Sequence, residues 1–213
     1  RLIARLRLAR TRRWKPMARG RRVDVRATLR ATLHTGGEPI ELHALGHPLR
    51  DPRFVVLIDG SRSMAEDAEK ALQFARALCR RTRRARAFVF STQLREITRA
   101  LRERDADQPV LEGLGEAWGG GTRIGASLKS FLRERGTLLG ERTYVMIFSD
   151  GLDTGDVVRL RTSMREIARR SAAVAWINPH AGDPDFAPRA AGMKAALPYI
   201  SRLVSPQGLR ALA

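Results

Sequence analysis

Phe54-Val55-Val56-Leu57-Ile58-Asp59-Gly60-Ser61-Arg62-Ser63 decides how this chain is read. Five apolar residues in succession, three of them β-branched, predict a buried strand. One carboxylate and two hydroxyls follow at alternate positions, where the strand ends. In open α/β sheets that end is where ligands bind. Three oxygen donors of low total charge on one tight loop suit a small hard cation, which takes oxygen ligands and keeps some water. The serines also have a plainer reading, as caps of the next helix.

Two later stretches read as the rest of one site. Trp118-Gly119-Gly120-Gly121-Thr122-Arg123-Ile124-Gly125 is a glycine-rich loop that presents a threonine just before a helical pattern. Thr143-Tyr144-Val145-Met146-Ile147-Phe148-Ser149-Asp150-Gly151 is a second buried-strand run ending in an aspartate.

Between and beyond these stretches strand and helix alternate, which predicts a parallel sheet covered on both faces. Helices are expected over 65–82 (Ala68, Leu72, Ala75 and Cys79 inward), over 124–134, and over 157–170. In the last of these Val158, Leu160, Met164, Ile167 and Ala168 are the inward candidates. Strands are expected at 86–91 and 173–178, and a last edge strand at 199–204. Leu94 to Ala100 is read as one short strand, antiparallel to 86–91 across the turn at 91–93. A short helix is placed at 193–196 and a terminal helical turn at 207–212. Asp153 and Asp156 are read as caps of the helix starting near Val157. Ahead of the sheet, residues 1–10 read as the tail of a helix. Asp24 to His34 is helical, with Val25, Leu29 and Leu33 in phase and Gly36-Gly37 as its stop. Glu38 to Leu45 is a short extended segment, and Pro48 and Pro52 bracket a linker. The division expected is a basic segment, 1–50, followed by an α/β domain, 51–213.

At 213 residues the chain supports one sizeable core with material left over. No apolar run approaches a membrane span. The sequence opens at Arg1 without methionine, as expected of a fragment or processed piece. The single cysteine, Cys79, rules out an intrachain disulfide and fits a reducing cytoplasm. The formal net charge is +18, and residues 1–50 hold 13 Lys/Arg against three acids. That density predicts an anionic partner. Trp14 is the only aromatic in the basic run and no nucleic-acid motif is recognisable, so specific nucleic-acid binding is not expected.

The order of hydroxyl-rich loop, isolated threonine and strand-terminal aspartate resembles the metal-ion-dependent adhesion site of von Willebrand factor A (VWA) domains. Several stretches are similar to one branch, the CoxE-like proteins. They include Arg12-Arg13-Trp14-Lys15-Pro16, Asp24-Val25-Arg26-Ala27-Thr28-Leu29-Arg30, Gly36-Gly37-Glu38-Pro39 and Gly120-Gly121-Thr122-Arg123-Ile124-Gly125. Ser149-Asp150-Gly151-Leu152-Asp153-Thr154-Gly155-Asp156, Trp176-Ile177-Asn178-Pro179 and Gly192-Met193-Lys194-Ala195-Ala196-Leu197-Pro198-Tyr199 complete the set. The resemblance implies a doubly wound, Rossmann-like VWA domain whose mostly parallel sheet has one antiparallel edge strand and helices on both faces. It also implies a ligand set of Asp59, Ser61, Ser63, Thr122 and Asp150 for Mg²⁺, with Mn²⁺ as the alternative ion. The branch is typically longer, so the resemblance implies that this chain is a C-terminal portion. Where the family commonly has Asp-Val-Ser-Gly-Ser, this chain has Gly60 and Arg62. Arg62 adds like charge beside the cation if it points inward; pointing outward, Arg62, with Arg123, is placed to meet a partner's carboxylate.

The function implied is a non-enzymatic docking adaptor for a MoxR-type AAA+ ATPase. Such an adaptor serves the maturation or metal-cofactor insertion of carbon monoxide dehydrogenase or a similar molybdenum enzyme. The chain itself has no Gly-x-x-x-x-Gly-Lys-[Ser/Thr] phosphate loop. Two other readings compete. A hydrolase would use Ser61 or Ser63 with His34, His43, His47 or His180 as base, but no Gly-x-Ser-x-Gly elbow surrounds either serine. A charge-driven module would bind an anionic protein, nucleic acid or lipid through the basic segment.

Overall fold

Strand β4 (Arg53–Asp59) runs through the middle of a six-stranded sheet because its apolar stretch does not seek water: Val55 to Ile58 are fully buried. The computed structural model describes residues 14–18, 21–32, 42–46, 52–103 and 122–208. These fall into two compact units, one within Arg7–Asp51 and one within the chain from Pro52 onward.

In the larger unit the strand order is β6-β5-β4-β7-β8-β9, with β5 (Ala85–Phe90), β6 (Leu94–Glu96), β7 (Thr143–Phe148), β8 (Ala173–Ile177) and β9 (Arg202–Val204). Every pairing is parallel except β5 with β6, so the antiparallel strand lies at one edge. Alternate residues of β4 serve two cores, as a strand buried on both faces requires. Phe54, Val56 and Ile58 pack with Leu72, Ala75 and Cys79 of α2 (Ala65–Arg81). Val55 and Leu57 belong to the other core, with Leu128 and Phe131 of α4 (Ile124–Arg135) and Leu160 and Met164 of α5 (Val157–Arg170). The chain leaves β4 for β5 on one side and later returns to β7 on the other. The carboxyl ends of β4 and β7 therefore flank the crevice that such a reversal opens.

The predicted helices and parallel strands, the last edge strand aside, form within a residue or two of their expected bounds. Two expectations fail for physical reasons. The stretch 94–100 is not one strand: β6 ends at Glu96, and α3 (Thr98–Glu103) follows. Ile97 N donates to Ala87 O, and then the Thr98 hydroxyl, not a backbone carbonyl, takes the Ala87 N–H at 3.0 Å. The ladder stops there, and Ile97 and Leu101, four residues apart, turn into the first core. Val158 is not inward but 69% exposed, because at about 100° per residue it falls on the opposite side of α5 from Leu160 and Ile167. Ala168 is half-buried and packs on the second core as expected. The 193–196 helix appears as α6 (Ala191–Ala196), and the edge strand is shorter than expected. Of the terminal turn only 206–208 are described, and they are helical.

The smaller unit contains α1 (Val25–Thr32), which fits the expected helix, although Val25 is exposed. Asp24 caps it, accepting from Ala27 N at 3.1 Å. Three short strands pair antiparallel in the order β1 (Lys15–Met17), β3 (Ala44–Gly46), β2 (Arg22–Val23). Neither β1 nor β2 was legible as a strand, because every residue in them is exposed and no alternation marks them. The Arg22 guanidinium lies over the Trp14 ring at 5.2 Å. The readings of residues 1–10, 36–37 and the 47–51 linker lie outside the described residues. No helix among the described residues is long and apolar enough to cross a membrane.

Helices α4 and α5 touch through a glycine. A Cβ on Gly125 would lie 2.7 Å from Leu160 N and 3.1 Å from Asp156 O, both backbone atoms that cannot yield. Alanine has the better helix propensity, by about 1 kcal/mol, but forcing two backbones apart costs about 1–3 kcal/mol or more. Gly125→Ala is therefore expected to destabilise the fold by roughly 1–2 kcal/mol. Denaturant unfolding should show a lower midpoint with an unchanged slope.

Candidate metal centre

Asp59 ends β4 and is fully buried. Its Oδ1 accepts from Ser61 N at 2.9 Å, closing a turn that brings the loop back over the strand end. Gly60 N donates to Phe90 O, so the loop stays tied to β5. A single 3₁₀ turn, Arg62–Met64, then leads into α2. Neither serine caps a helix: no side-chain cap bond is made at the start of that turn or of α2. Instead Ser61 Oγ and Ser63 Oγ face one another at 3.1 Å. Ser61 is buried, while Ser63 and Arg62 are exposed. Arg62 points outward and makes no ion pair with a described residue.

The second strand end is built around Ser149, which sequence reasoning missed. Ile58 pairs with Phe148 in the β4–β7 ladder, so the next residues, Asp59 and Ser149, come side by side. Ser149 Oγ donates to Asp59 Oδ2 at 2.7 Å and accepts from Gly151 N at 3.0 Å. Its carbonyl accepts from the fully buried Trp176 Nε1 at 2.8 Å. Asp150 follows, 8% exposed, with Oδ1 accepting from Leu152 N and its carbonyl held by Asn178 Nδ2. Gly151 has φ +81, a conformation that favours glycine, and a Cβ there would collide with the Met193 side chain. Gly192 presses from the same side: a Cβ on it would lie 2.5 Å from Gly151 O. The start of α6 thus clamps the Asp150 loop.

Thr122 is buried, and its carbonyl accepts from both Thr154 N (3.0 Å) and Thr154 Oγ1 (2.8 Å). Asp153, expected to cap α5, caps α4 instead, taking Ile124 N at 3.0 Å and Gly125 N at 3.4 Å. Asp156 alone caps α5, through Val158 N and Arg159 N. The Thr122 loop is thereby locked to the loop that follows Asp150. Arg123, exposed, is anchored by its N–H to Ser91 O at the end of β5. Thr122 Oγ1 has no hydrogen-bond partner among the described residues, an uncommon state for a buried hydroxyl.

Burial pushes the Asp59 carboxyl up to about 6, against the lowering effect of hydrogen bonds from Ser149 and Ser61; the charge of Asp150 adds to the rise. At neutral pH the centre holds a buried carboxylate that hydrogen bonds do not fully compensate. No group of three or more His, Cys, Asp or Glu among the described residues could hold a metal, so soft and nitrogen-seeking ions have no nest. Two carboxylates and three hydroxyls, with one buried hydroxyl unpartnered, fit a hard oxygen-seeking divalent cation. No histidine among the described residues is bonded to either serine: His43 is exposed in the smaller unit, and His180 Nδ1 faces Asp183 Oδ2 at 3.4 Å.

Because the folded state holds the Asp59 proton more tightly than the unfolded chain (ordinary value 3.8), stability falls as pH rises from about 4 to about 6. The deficit is full above that window. Asp59→Asn is expected to remove this slope and to stabilise the metal-free protein at pH 7.5 by roughly 1–3 kcal/mol. Thermal unfolding in EDTA across pH 4 to 8 reads it directly. A divalent cation held at this centre would compete with that proton, so its affinity would fall about tenfold per pH unit below about 6.

The family model for VWA domain containing CoxE-like protein matches residues 1–212. A comparison with curated proteins finds no match. Among solved structures, the chain is similar to a von Willebrand factor type A protein from Catenulispora acidiphila, at 18% identity and a TM-score of 0.49. That alignment covers 78% of this chain and 42% of the other, so this chain spans less than half of that relative's length. The SpRpn10 VWA domain aligns at 15% identity and a TM-score of 0.44, over 76% of this chain and 93% of that one. BatB from Bacteroides thetaiotaomicron aligns at 13% identity and 0.45, over 76% and 98%. The family match spans the chain almost end to end, and the sheet order, its antiparallel edge and the two helical layers accord with it: the protein belongs to the CoxE-like VWA family.

Proposed function

We propose that this protein is a metal-dependent docking adaptor, without catalysis of its own, that works with a MoxR-type AAA+ ATPase. Its service is the maturation or metal-cofactor insertion of carbon monoxide dehydrogenase or a similar molybdenum enzyme, in the cytoplasm. The observation that carries the reading is the pairing of two carboxylates of low exposure with a cluster of hydroxyls at the crevice end of the sheet, Asp59 being aimed by Ser149. Asp59, Ser61, Ser63, Thr122 and Asp150 would hold Mg²⁺, or Mn²⁺ in its place. When bound, the ion supplies a Lewis-acidic position that accepts one more oxygen donor from outside.

The protein's own residues do the rest. Ser149 and Ser61 N orient the Asp59 carboxylate, and the Asn178 amide together with the Gly192 clamp fixes the loop carrying Asp150. Only two acids serve the site, so a partner's Asp or Glu meets a field that is not already neutralised. Arg62 and Arg123, both exposed, add donors suited to a carboxylate. In this reading ATP hydrolysis belongs to the ATPase; the given sequence holds no phosphate-loop motif. Charge-driven binding through the basic segment 1–50 remains the competing reading, and its salt dependence separates it: surface ion pairs weaken with salt, whereas a metal bridge is broken by chelator.

Affinity capture from the native cell, in the presence and absence of EDTA, tests this. A MoxR-type ATPase or its client enzyme should be retained in Mg²⁺ at high salt and lost in EDTA. Asp59→Ala should abolish that capture while circular dichroism shows the fold unchanged; undiminished capture would rule out metal-bridged docking. Because Arg62 points outward, Arg62→Ala should leave calorimetric Mg²⁺ affinity within about twofold yet weaken partner capture, in line with the loss of an exposed charge pair.

A further inference from the structure

The N-termini of α4 and α5 lie against one another, through Gly125 on Leu160 and Asp153 on Ile124 N. From that point a groove of about 410 Å³ opens between the two helices, lined among others by Lys129, Leu132, Val158, Arg159 and Arg165. Its span along α5, from Val158 to Glu166, is about 12 Å at 1.5 Å per residue. Asp156 lines the groove, and its neighbour Gly155 approaches the Thr122 loop: a Cβ on Gly155 would lie 3.7 Å from Cα and Cβ of Arg123, the residue after Thr122.

Two features of this surface have no use inside the fold. Leu152, two residues from Asp150, is 54% exposed, and Val158 at the mouth of the groove is 69% exposed. Arg62, Arg123 and Lys129 are exposed cations that make no ion pair with a described residue. The acids of the groove, by contrast, are engaged. Asp156 caps α5 and lies 4.0 Å from Arg159, and Glu166 is bonded to Arg169 at 2.8 Å. The free valence of the surface is therefore positive and apolar together.

We infer that Leu152, Val158 and the α4–α5 groove form a docking surface continuous with the metal centre, and that its occupant is an acidic segment of a partner protein bearing apolar side chains. This rests on the metal-docking reading above and adds what selects the partner. One carboxylate of the segment is taken at the metal centre. Apolar side chains beside it cover Leu152 and Val158, and further acids meet Arg123 and Lys129. A polar acidic tail would satisfy the charges but leave the two apolar side chains in water, and a neutral apolar segment would strand the cations.

The full chain in Mg²⁺ is panned against a phage-displayed library of random linear peptides, and enriched peptides are synthesised for fluorescence anisotropy. Enriched sequences should carry Asp or Glu next to Leu, Ile or Phe. Combining Leu152→Ser with Val158→Ser should weaken their binding about tenfold or more, and Lys129→Glu should weaken it comparably. Calorimetric Mg²⁺ affinity of these variants should stay unchanged. Failure to enrich any acidic, apolar sequence overturns the inference. Peptides that require Mg²⁺ and Asp59 yet ignore the groove variants overturn it while leaving metal docking intact. Peptides lost on the groove variants yet indifferent to EDTA and to Asp59→Asn support the groove and remove the metal reading. Sedimentation showing a dimer that Val158→Ser dissociates, or binding to phosphatidylglycerol vesicles that Lys129→Glu abolishes, assigns the surface to a second copy or to a membrane and overturns the inference.

Discussion

The Ser149–Asp59 hydrogen bond is the constraint around which the functional end of this molecule is organised. A carboxylate at the end of a central strand, with no exposed surface, is held unfavourably in its charged form, as its raised proton affinity records. A hydroxyl from the neighbouring strand keeps it in place, and that hydroxyl exists there only because β4 and β7 pair in the register Ile58 to Phe148. A one-residue slip would send Ser149 to the opposite face and leave Asp59 without its donor. The centre therefore inherits its geometry from sheet pairing, the most rigid part of the fold.

Around that bond the loops are held by one another rather than by their own sequences. Asp153 leaves the loop it belongs to and caps α4, while the Thr122 carbonyl accepts twice from Thr154. Gly151 and Gly192 allow α6 to close on the loop from outside, with no room for a Cβ at either. Such mutual capping satisfies helix-end N–H groups with groups that also fix the loops around Asp59 and Asp150. Loops held this way are preorganised, so the docking proposed above would lose little ordering entropy.

The charge of the chain reads differently once its arginines are placed. Arg102 donates to the carbonyls of Cys79, Arg83 and Ala85, closing the end of α2. Arg53 donates to Leu138 O and Arg170 to Gly136 O, tying β4 and α5 to the turn after α4. These guanidinium groups are structural donors to carbonyl ends. The net +18 is thus no measure of how many cations await an anionic partner. Arg62, Arg123 and Lys129 are exposed and make no ion pair with a described residue, and these are the cations that the proposed docking would use.

By itself the sequence determined the strand runs at 54–58 and 143–148 and the amphipathic helices between them, and it placed Asp59, Ser61, Ser63 and Asp150 at the ends of those strands, because burial on both faces leaves a local imprint. It also marked the Cys79 face of α2 and the cap at Asp156. Only the tertiary structure decided that Ser149 aims Asp59, that Asp153 caps α4, and that 94–100 breaks into strand and helix at Thr98. Each of these depends on a partner far along the chain: a hydroxyl or carboxylate can accept from several backbone groups, and its neighbours in sequence do not say which one the fold brings within reach.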